Sequence, residues 1–273
     1  MRPITRQDAD AVIKKLHYSG KVVTNTQLHL GVFLGTRLEG AMQFGPSLDR
    51  RKLLPLVSGT LWNGFLELNR MAFSENLPRN SESRALGVAL RLLRKQYPHI
   101  EWIVSFADAT QCGDGTIYRA AGFVLTSIRP NKTIWQGPGG ETITDVGMHT
   151  SMKKVQTFSK VGLTSTATLE KMRAQGMVRA VLGADAEYRG GAGMKYYQAA
   201  GFKPIPGYQL RYVYFLNPAA RVRLTVPIIP FSEIQRRGIA MYRGQRVGSD
   251  PVDTVATHAA KDGSTPIPTL QDL

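Results

Sequence analysis

Apolar positions recur at helical spacing near the N-terminus and at strand spacing soon after it. Residues 5–18 predict a helix, because Thr5 and Asp8 form a capping-box-like start and the apolar residues that follow are three or four positions apart. Leu28 to Leu34 and Leu38 to Phe44 predict strands joined by a short turn that contains glycine. The chain is therefore expected to begin with a helix and a β-hairpin.

The next segments predict a strand, a helix and a strand in that order. Phe65 to Phe73 is strand-like, and Asn80 or Ser81 can cap a long amphipathic helix that ends near Tyr97. Trp102 to Ala107 is an almost continuous apolar run, which is typical of a strand buried on both faces. This order favours parallel strands connected by a right-handed crossover.

Later segments continue this α/β pattern. Thr116 to Ala121 predicts a short helix, whereas Phe123 to Ile128 and Thr142 to Met148 predict strands. Thr166 to Gln175 predicts another helix, and Tyr208 to Leu216 alternates well enough to predict a final strand. The fold class expected from these elements is α/β.

The predicted organisation is one domain over residues 1–235, with a variable insert at about 136–190 and an extension over 236–273. Beyond Pro227 the apolar periodicity fades, and residues 248–273 are rich in Gly, Ser, Asp, Thr and Pro. Such a composition predicts a flexible C-terminal tail.

A six-residue pattern occurs twice, as Tyr118-Arg-Ala-Ala-Gly-Phe123 and as Tyr197-Gln-Ala-Ala-Gly-Phe202. In both copies the glycine is expected to end a helix in the left-handed conformation before a strand begins. Two copies are too few for a repeat protein, so a shared way of ending a helix is the favoured interpretation.

The charge of the chain points to an anionic partner. Its 273 residues carry 35 Lys and Arg against 20 Asp and Glu, which gives a formal net charge of +15. Such a surface attracts polyanions, and contacts to phosphates would make binding sensitive to salt. The single cysteine, together with the lack of any run of roughly 18–20 uncharged apolar residues, predicts a cytoplasmic protein without a membrane span.

Four polar residues are expected at the carboxyl ends of the parallel strands, where ligands of open α/β sheets bind. They are Arg70 in the first strand, Ser83 at the helix start, Asp108 just after the second strand and Tyr118 on the short helix. Each also has a purely structural interpretation, as a buried ion-pair partner, a helix cap, a loop cap or a core aromatic. Their common position at one edge of the sheet favours a catalytic cluster.

The start of the long helix is a candidate anion site, because backbone N–H groups point out of a helix N-terminus. The candidate cofactor-binding residues there are Arg79, Asn80, Ser81 and Arg84. Arg84 to Ala89 matches the pyrophosphate-binding pattern of acetyltransferases in part, but Gly87 falls inside the predicted helix and Glu82 would repel phosphate. Binding of acetyl-coenzyme A is therefore not favoured.

Known metal and cofactor motifs are sparse. With one Cys and no His-x-x-x-His spacing, the sequence argues against a closed zinc site, although an iron site of mixed His, Tyr and carboxylate ligands stays open. A phosphate-binding loop, a dinucleotide-binding glycine motif and the motif by which adenine methyltransferases grip a flipped amine are all missing from the sequence.

Longer segments resemble the Mom family of Mu-like phages. The resemblance covers most of residues 10–235. It is weak in the segment from about 136 to 190, and the tail lies outside it. The resembling blocks are His17 to Val23, Gln27 to Phe33, Met42 to Ser47, Trp62 to Phe73, Pro78 to Leu86, Ser105 to Asp108, Cys112 to Phe123, Pro206 to Phe215 and Leu224 to Ile228.

This resemblance implies a GNAT-like fold, with a mixed central sheet flanked by helices. It also implies a phage or prophage enzyme that converts adenine in double-stranded DNA to its N6-carbamoylmethyl form and so protects the DNA from restriction endonucleases. The four polar residues named above correspond to important residues of the family, and bound iron is implied, with His17 and Tyr18 as candidate ligands. The group donor is not identified, and a homodimer is compatible with the resemblance. We expect the adenine to be flipped out of the duplex and its N6 proton to be taken by Asp108.

Two other functions stay open at this stage. An acetyl-coenzyme A-dependent N-acetyltransferase acting on a small amine or a protein would share the fold, but the sequence of the helix start disfavours it. A non-catalytic DNA-binding protein would explain the charge. It would not explain a polar cluster at the end of a buried sheet.

Overall fold

The computed structural model describes residues 1–110, 113–140, 142–145, 148, 194, 197–198, 201–242 and 245–246. The helix predicted at Thr166 to Gln175 and the tail predicted at 248–273 lie outside the described residues, as does most of the predicted insert. Within the described part of the chain, no helix combines the length and the apolar character needed to cross a bilayer.

The helices and strands whose bounds the structure describes lie between Arg2 and Arg246. In chain order they are β1 (Arg2–Pro3), α1 (Arg6–Leu16), β2 (Leu28–Leu34), β3 (Arg37–Gly45), α2 (Arg50–Leu53), β4 (Phe65–Phe73), α3 (Ser81–Gln96), β5 (Trp102–Asp108), α4 (Thr116–Ala120), β6 (Val124–Asn131), β7 (Ile134–Gln136), β8 (Thr142–Thr144), β9 (Lys203–Pro204), β10 (Gly207–Phe215), α5 (Ser232–Arg236), β11 (Met241–Tyr242) and β12 (Gln245–Arg246). Short 3-10 helices follow α2 and β10, at Leu54–Leu56 and Pro218–Arg223.

A seven-stranded mixed sheet forms the centre of the fold, in the order β1-β2-β3-β4-β5-β10-β6. Neighbouring strands are antiparallel except for β4 and β5, which run parallel with α3 as their crossover. The parallel pairing that the order of strand, helix and strand predicted is therefore confirmed. The predicted mixed central sheet flanked by helices is confirmed.

The predicted N-terminal helix and hairpin are confirmed as well. The hydroxyl of Thr5 accepts a hydrogen bond of 3.1 Å from the backbone N–H of Asp8, which caps α1. β2 and β3 pair from Leu28 to the turn, where Leu34 lies opposite Arg37. Gly35 in that turn has a φ of +60°, a conformation that glycine adopts without a steric penalty.

Successive side chains of each strand point to opposite faces of the sheet, so the core has two layers. In β10, Leu210 and Tyr212 face the layer that contains α3, whereas Val213 faces the layer that contains α2. Trp102 of β5 is fully buried in the α2 layer, and its indole N–H donates a hydrogen bond of 3.0 Å to the hydroxyl of Thr60. The sheet is therefore covered on both faces around the point where β4 meets β5.

Three predictions need correction. The strand at Tyr208 to Leu216 is β10, but β11 and β12 follow it, so it is not the last one. The strand predicted at Thr142 to Met148 is the shorter β8, which pairs with β7 rather than with the central sheet. Asn80 precedes α3 with a φ of +66°, and its side chain makes no capping hydrogen bond.

Both copies of the six-residue pattern end in the predicted conformation. The backbone N–H of Phe123 donates to the carbonyl of Tyr118 at 3.0 Å, and that of Phe202 donates to Tyr197 at 2.9 Å. The glycines before the two phenylalanines have φ of +87° and +84°. These are the hydrogen bond and the left-handed residue of a Schellman-type helix end.

Candidate active site

β4 and β5 pair over three residues and then diverge. Their last parallel pair is Glu67 with Val104, although both strands continue beyond it. The bulge that interrupts the pairing of β4 with β3 lies at Asn69, between Leu68 and Arg70, and a bulge of this kind re-aims the side chains beside it. The divergence opens a gap at the carboxyl ends of the parallel strands, where the sequence predicted a ligand site.

Three adjoining cavities surround this gap. The tyrosine cleft, of about 450 Å³, lies on the α3 side and is bordered by Tyr118. The aspartate cavity, of about 830 Å³, is bordered by Asp108. The arginine cavity, of about 520 Å³, lies on the α2 side and is bordered by Arg129 and Arg211. Arg70 borders all three cavities, so it occupies the centre of the candidate site.

Hydrogen bonds to the backbone hold Arg70 in this central position. Its Nε donates to the carbonyl of Lys21 at 3.0 Å, and one terminal nitrogen donates to the carbonyl of Asn69 at 2.7 Å. Tyr118 lies in the tyrosine cleft with its ring 5.5 Å from that of Phe123 and 5.3 Å from that of Tyr212. The structure therefore places Arg70 and Tyr118 in one cavity.

Asp108 ends β5 and borders the aspartate cavity together with Arg70. Its Oδ1 accepts hydrogen bonds from the backbone N–H of Thr110 at 2.9 Å and from the amide of Asn131 at 3.4 Å. Ser83 is placed differently, because its hydroxyl donates to the carbonyl of Asn80 at 3.3 Å and it borders none of the three cavities. Three of the four predicted residues therefore surround the gap.

His17 and Tyr18 end the first helical segment at the rim of the tyrosine cleft. The backbone N–H of Ser19 lies 3.2 Å from Nδ1 of His17, and the hydroxyl of Ser19 lies 2.8 Å from the same nitrogen. Burial, and then the charge of Arg70, lower the pKa of His17 to about 4. The imidazole is therefore uncharged at neutral pH.

These residues do not make an iron site as they are placed. His17 and Tyr18 supply one imidazole and one phenol, whereas iron sites of this kind need further ligands such as a second imidazole and a carboxylate. Among the described residues, no group of three or more His, Cys, Asp or Glu side chains could hold a metal ion. The guanidinium of Arg70, which disfavours a positive charge on His17, also disfavours a cation beside it.

The helix start does not form a cradle for a diphosphate. Arg79 and Arg84 are exposed, and the hydroxyl of Ser81 donates to the carbonyl of Pro78 at 2.6 Å. The acidic residue of the first turn, Glu82, borders the tyrosine cleft instead. Gly87 lies inside α3, as expected, so the described residues do not fit the pyrophosphate of coenzyme A.

Two acidic residues of the site were missed by the sequence reasoning. Asp114 is only 5% exposed in the wall of the tyrosine cleft, where it pairs with Arg119 at 3.1 Å. Glu67 of β4 borders the arginine cavity, and burial raises its pKa. The signal for Glu67 was a charged residue within an apolar strand, as for Arg70. Asp114 lies in a loop of turn-forming residues and gives no such signal.

The sequence model of the Mom protein family matches residues 1–189. This chain belongs to the Mom protein family. The match includes every strand that borders the gap except β10, and it confirms the resemblance found in the sequence. Over 116 residues the chain is 45% identical to a Mom relative described as the methylcarbamoylase mom of Escherichia phage Mu. This similarity covers 42% of the chain and 48% of the relative, so the chain spans about half the length of that Mom protein.

Two solved structures are similar to this chain at low sequence identity. A Bacillus subtilis acetyltransferase in complex with CoA is similar with a TM-score of 0.36 and 9% identity, over 76% of this chain and 92% of that one. A tandem GNAT protein from the clavulanic acid biosynthesis pathway has a TM-score of 0.42 and 11% identity, over 80% and 98%. The functional interpretation rests on the Mom family match.

Proposed function

We propose that this chain is a DNA-modifying transferase that converts adenine in double-stranded DNA to N6-carbamoylmethyl adenine and so protects the DNA from restriction endonucleases. The observation that carries the proposal is the Mom family match over residues 1–189, which includes the diverging strands. The formal charge of +15 suits a DNA substrate. Origin in a phage or prophage, and action in the bacterial cytoplasm, belong to the same proposal.

Adenine N6 is a weak nucleophile, because its lone pair is delocalised into the ring, and in a duplex it is paired and stacked. The base must leave the stack before it reacts, which costs a few kcal/mol. The cavities around the gap have the size of small-molecule sites, about 300–1,000 Å³. Tyr118, packed beside Phe123 and Tyr212, offers an aromatic surface on which an extruded purine can stack. Its hydroxyl is proposed to orient the base or to donate a proton to the leaving group.

Asp108 is the proposed general base. Thr110 and Asn131 fix the orientation of its carboxylate at the end of β5. As the bond from N6 to the methylene carbon forms, the bond between that carbon and the leaving group of an activated carbamoylmethyl donor breaks. The leaving group takes the electron pair, and the N6 proton passes to Asp108. Arg70 is placed to bind an anionic part of the donor, whereas Ser83 supports the start of α3.

Mass spectrometry of nucleosides from cells that express the chain tests this function. The wild-type chain is expected to produce deoxyadenosine that carries one added carbamoylmethyl group. Asp108→Asn and Tyr118→Phe are each expected to abolish the product without lowering the unfolding temperature by more than a few degrees. Tyr97→Phe, which removes a hydroxyl outside the three cavities, is the matched control.

Other outcomes have distinct meanings. Near-normal modification by Asp108→Asn or Tyr118→Phe removes that residue from the mechanism. Unchanged deoxyadenosine, together with micromolar binding of coenzyme A and acetylation of an amine, supports an N-acetyltransferase instead. Unchanged deoxyadenosine with DNA binding alone supports a non-catalytic DNA-binding protein.

A further inference from the structure

The loop between β3 and α2 presents a leucine to solvent at the entrance of the site. Leu48 is 84% exposed, although Ser47 beside it is buried. The loop is tied down, because Asn25 donates to the carbonyl of Pro46 and the backbone N–H of Asp49 donates to the hydroxyl of Ser47. Leu48 borders both the arginine cavity and the aspartate cavity, so a fixed apolar tip stands between the two.

Positive charge surrounds this tip. α2 follows the loop directly with Arg50, Arg51 and Lys52, of which Arg51 is exposed and Lys52 pairs with Asp49 at 3.4 Å. Arg50 is turned away from solvent by hydrogen bonds to the carbonyls of Trp62 and Phe65. Lys52 therefore lies beside Leu48 at the arginine cavity, and the exposed Arg51 precedes it in α2.

Two guanidinium groups from neighbouring strands also line the arginine cavity. Arg211 of β10 is half-buried and donates to the hydroxyl and carbonyl of Thr126, whereas Arg129 of β6 is exposed. Burial, and then the charge of Arg129, lower the pKa of Arg211. No ion pair found among the described residues involves Arg70, Arg129 or Arg211.

The acidic side chains of this cavity leave an excess of positive charge. Four cationic residues border the cavity, whereas only two acidic residues do, Asp49 and Glu67. Asp49 is already paired with Lys52, and burial raises the pKa of Glu67, which favours its uncharged form. Like charges held together in this way repel one another, and an anion between Arg129 and Arg211 would relieve the repulsion.

We propose that this face receives the DNA duplex: Leu48 enters the base stack in the space left by the extruded adenine, and Arg129 and Arg211 hold phosphates of the same strand. The inference rests on the proposed function. Proteins that distort DNA insert apolar side chains such as leucine between bases, and phosphate contacts position the strand. Leu48 borders the arginine cavity together with Arg129 and Arg211, and it borders the aspartate cavity together with Asp108. A base that leaves the stack at Leu48 is therefore beside Asp108.

The wedge is tested by nucleoside mass spectrometry of cells that express Leu48 variants. Leu48→Ala is expected to lower modified deoxyadenosine at least ten-fold, and Leu48→Met, which keeps a long apolar side chain, is expected to stay near the wild type. The matched control is Leu61→Ala, because Leu61 is 77% exposed and borders none of the three cavities. Equal modification by Leu48→Ala and Leu61→Ala overturns the wedge.

The clamp is tested by fluorescence anisotropy with a 30-base-pair duplex of randomised sequence, titrated at several salt concentrations. The slope of log K against log salt is negative, and each lost phosphate contact lowers its magnitude by about 0.9. The double variant Arg129→Gln and Arg211→Gln is therefore expected to lower the magnitude of the slope by about 1.8. Arg91→Gln with Lys95→Gln removes the same charge from the exposed face of α3 and is expected to leave the slope unchanged. Equal slopes for the two double variants overturn the clamp.

Failure of this inference and failure of the proposed function give different results. If the wild-type chain leaves deoxyadenosine unchanged, the proposed function is wrong, and the proposed role of Leu48 is wrong as well. The salt dependence of DNA binding still tests whether Arg129 and Arg211 hold phosphates. If the wild type modifies adenine and Leu48→Ala does so equally well, the function stands and the wedge is wrong.

Discussion

Acid is expected to destabilise this protein through His17. The ring is half-buried near Arg70, the backbone N–H of Ser19 donates to its Nδ1, and its pKa is lowered to about 4 from 6.5. Because the folded-state pKa is depressed, the stabilisation is complete above pH 6.5 and is lost as the pH falls towards 4. At pH 5 the unfolded ring is almost fully protonated and the folded ring is mostly neutral. The resulting loss of unfolding free energy is about 2 kcal/mol.

Urea unfolding at pH 7.5 and pH 5.0 measures this loss in the wild type and in His17→Gln. Other groups titrate in the same interval, including His29, whose pKa is lowered first by burial, so the difference between the two proteins is the quantity of interest. The variant is expected to lose about 2 kcal/mol less than the wild type. An NMR titration of the imidazole gives the folded pKa directly, and Arg70→Gln should raise it. Equal acid losses in wild type and variant would refute the reasoning.

Two further predictions concern stability. Gly115→Ala should lower the unfolding free energy by about 3 kcal/mol, because φ is +82° and the new Cβ would lie 2.4 Å from the ring of Tyr212. Gly140 has a similar φ of +83° but open space around it. Gly140→Ala should therefore lower the unfolding free energy by only about 1 kcal/mol in the same urea titration. Similar losses in the two variants would exclude the contact with Tyr212. Thr60→Val should lower the unfolding free energy by about 1–3 kcal/mol, because it leaves the buried indole N–H of Trp102 without its acceptor, whereas Thr60→Ser should stay close to the wild type in thermal melts.

Elements with a strong local signal were predictable from the sequence. The cap at Thr5 begins α1, and the apolar segment from Phe65 to Phe73 is β4 with the predicted bounds. The place of β10 was not predictable, because the alternation of Tyr208 to Leu216 identifies a strand without identifying its neighbours. Pairing with β5 and β6 depends on contacts between residues far apart in the sequence.

The candidate site was predictable in part for a similar reason. Arg70 and Asp108 follow from their positions in and after buried strands, and Tyr118 follows from the helix beside them. The bulge at Asn69 and the early end of the pairing at Glu67 have no local signature, so the three cavities were not foreseen. Ser83 satisfies a backbone carbonyl at the helix start, which is the ordinary role of a serine there.

The position of β10 has a consequence for synthesis of the chain. A ribosome that has released β5 and β6 has made two strands whose facing edges stay open until residues 207–215 emerge and insert between them. Open strand edges are sites of association between molecules. Shortened forms that stop before Gly207 are therefore expected to aggregate during expression, even though they contain Arg70, Asp108 and Tyr118.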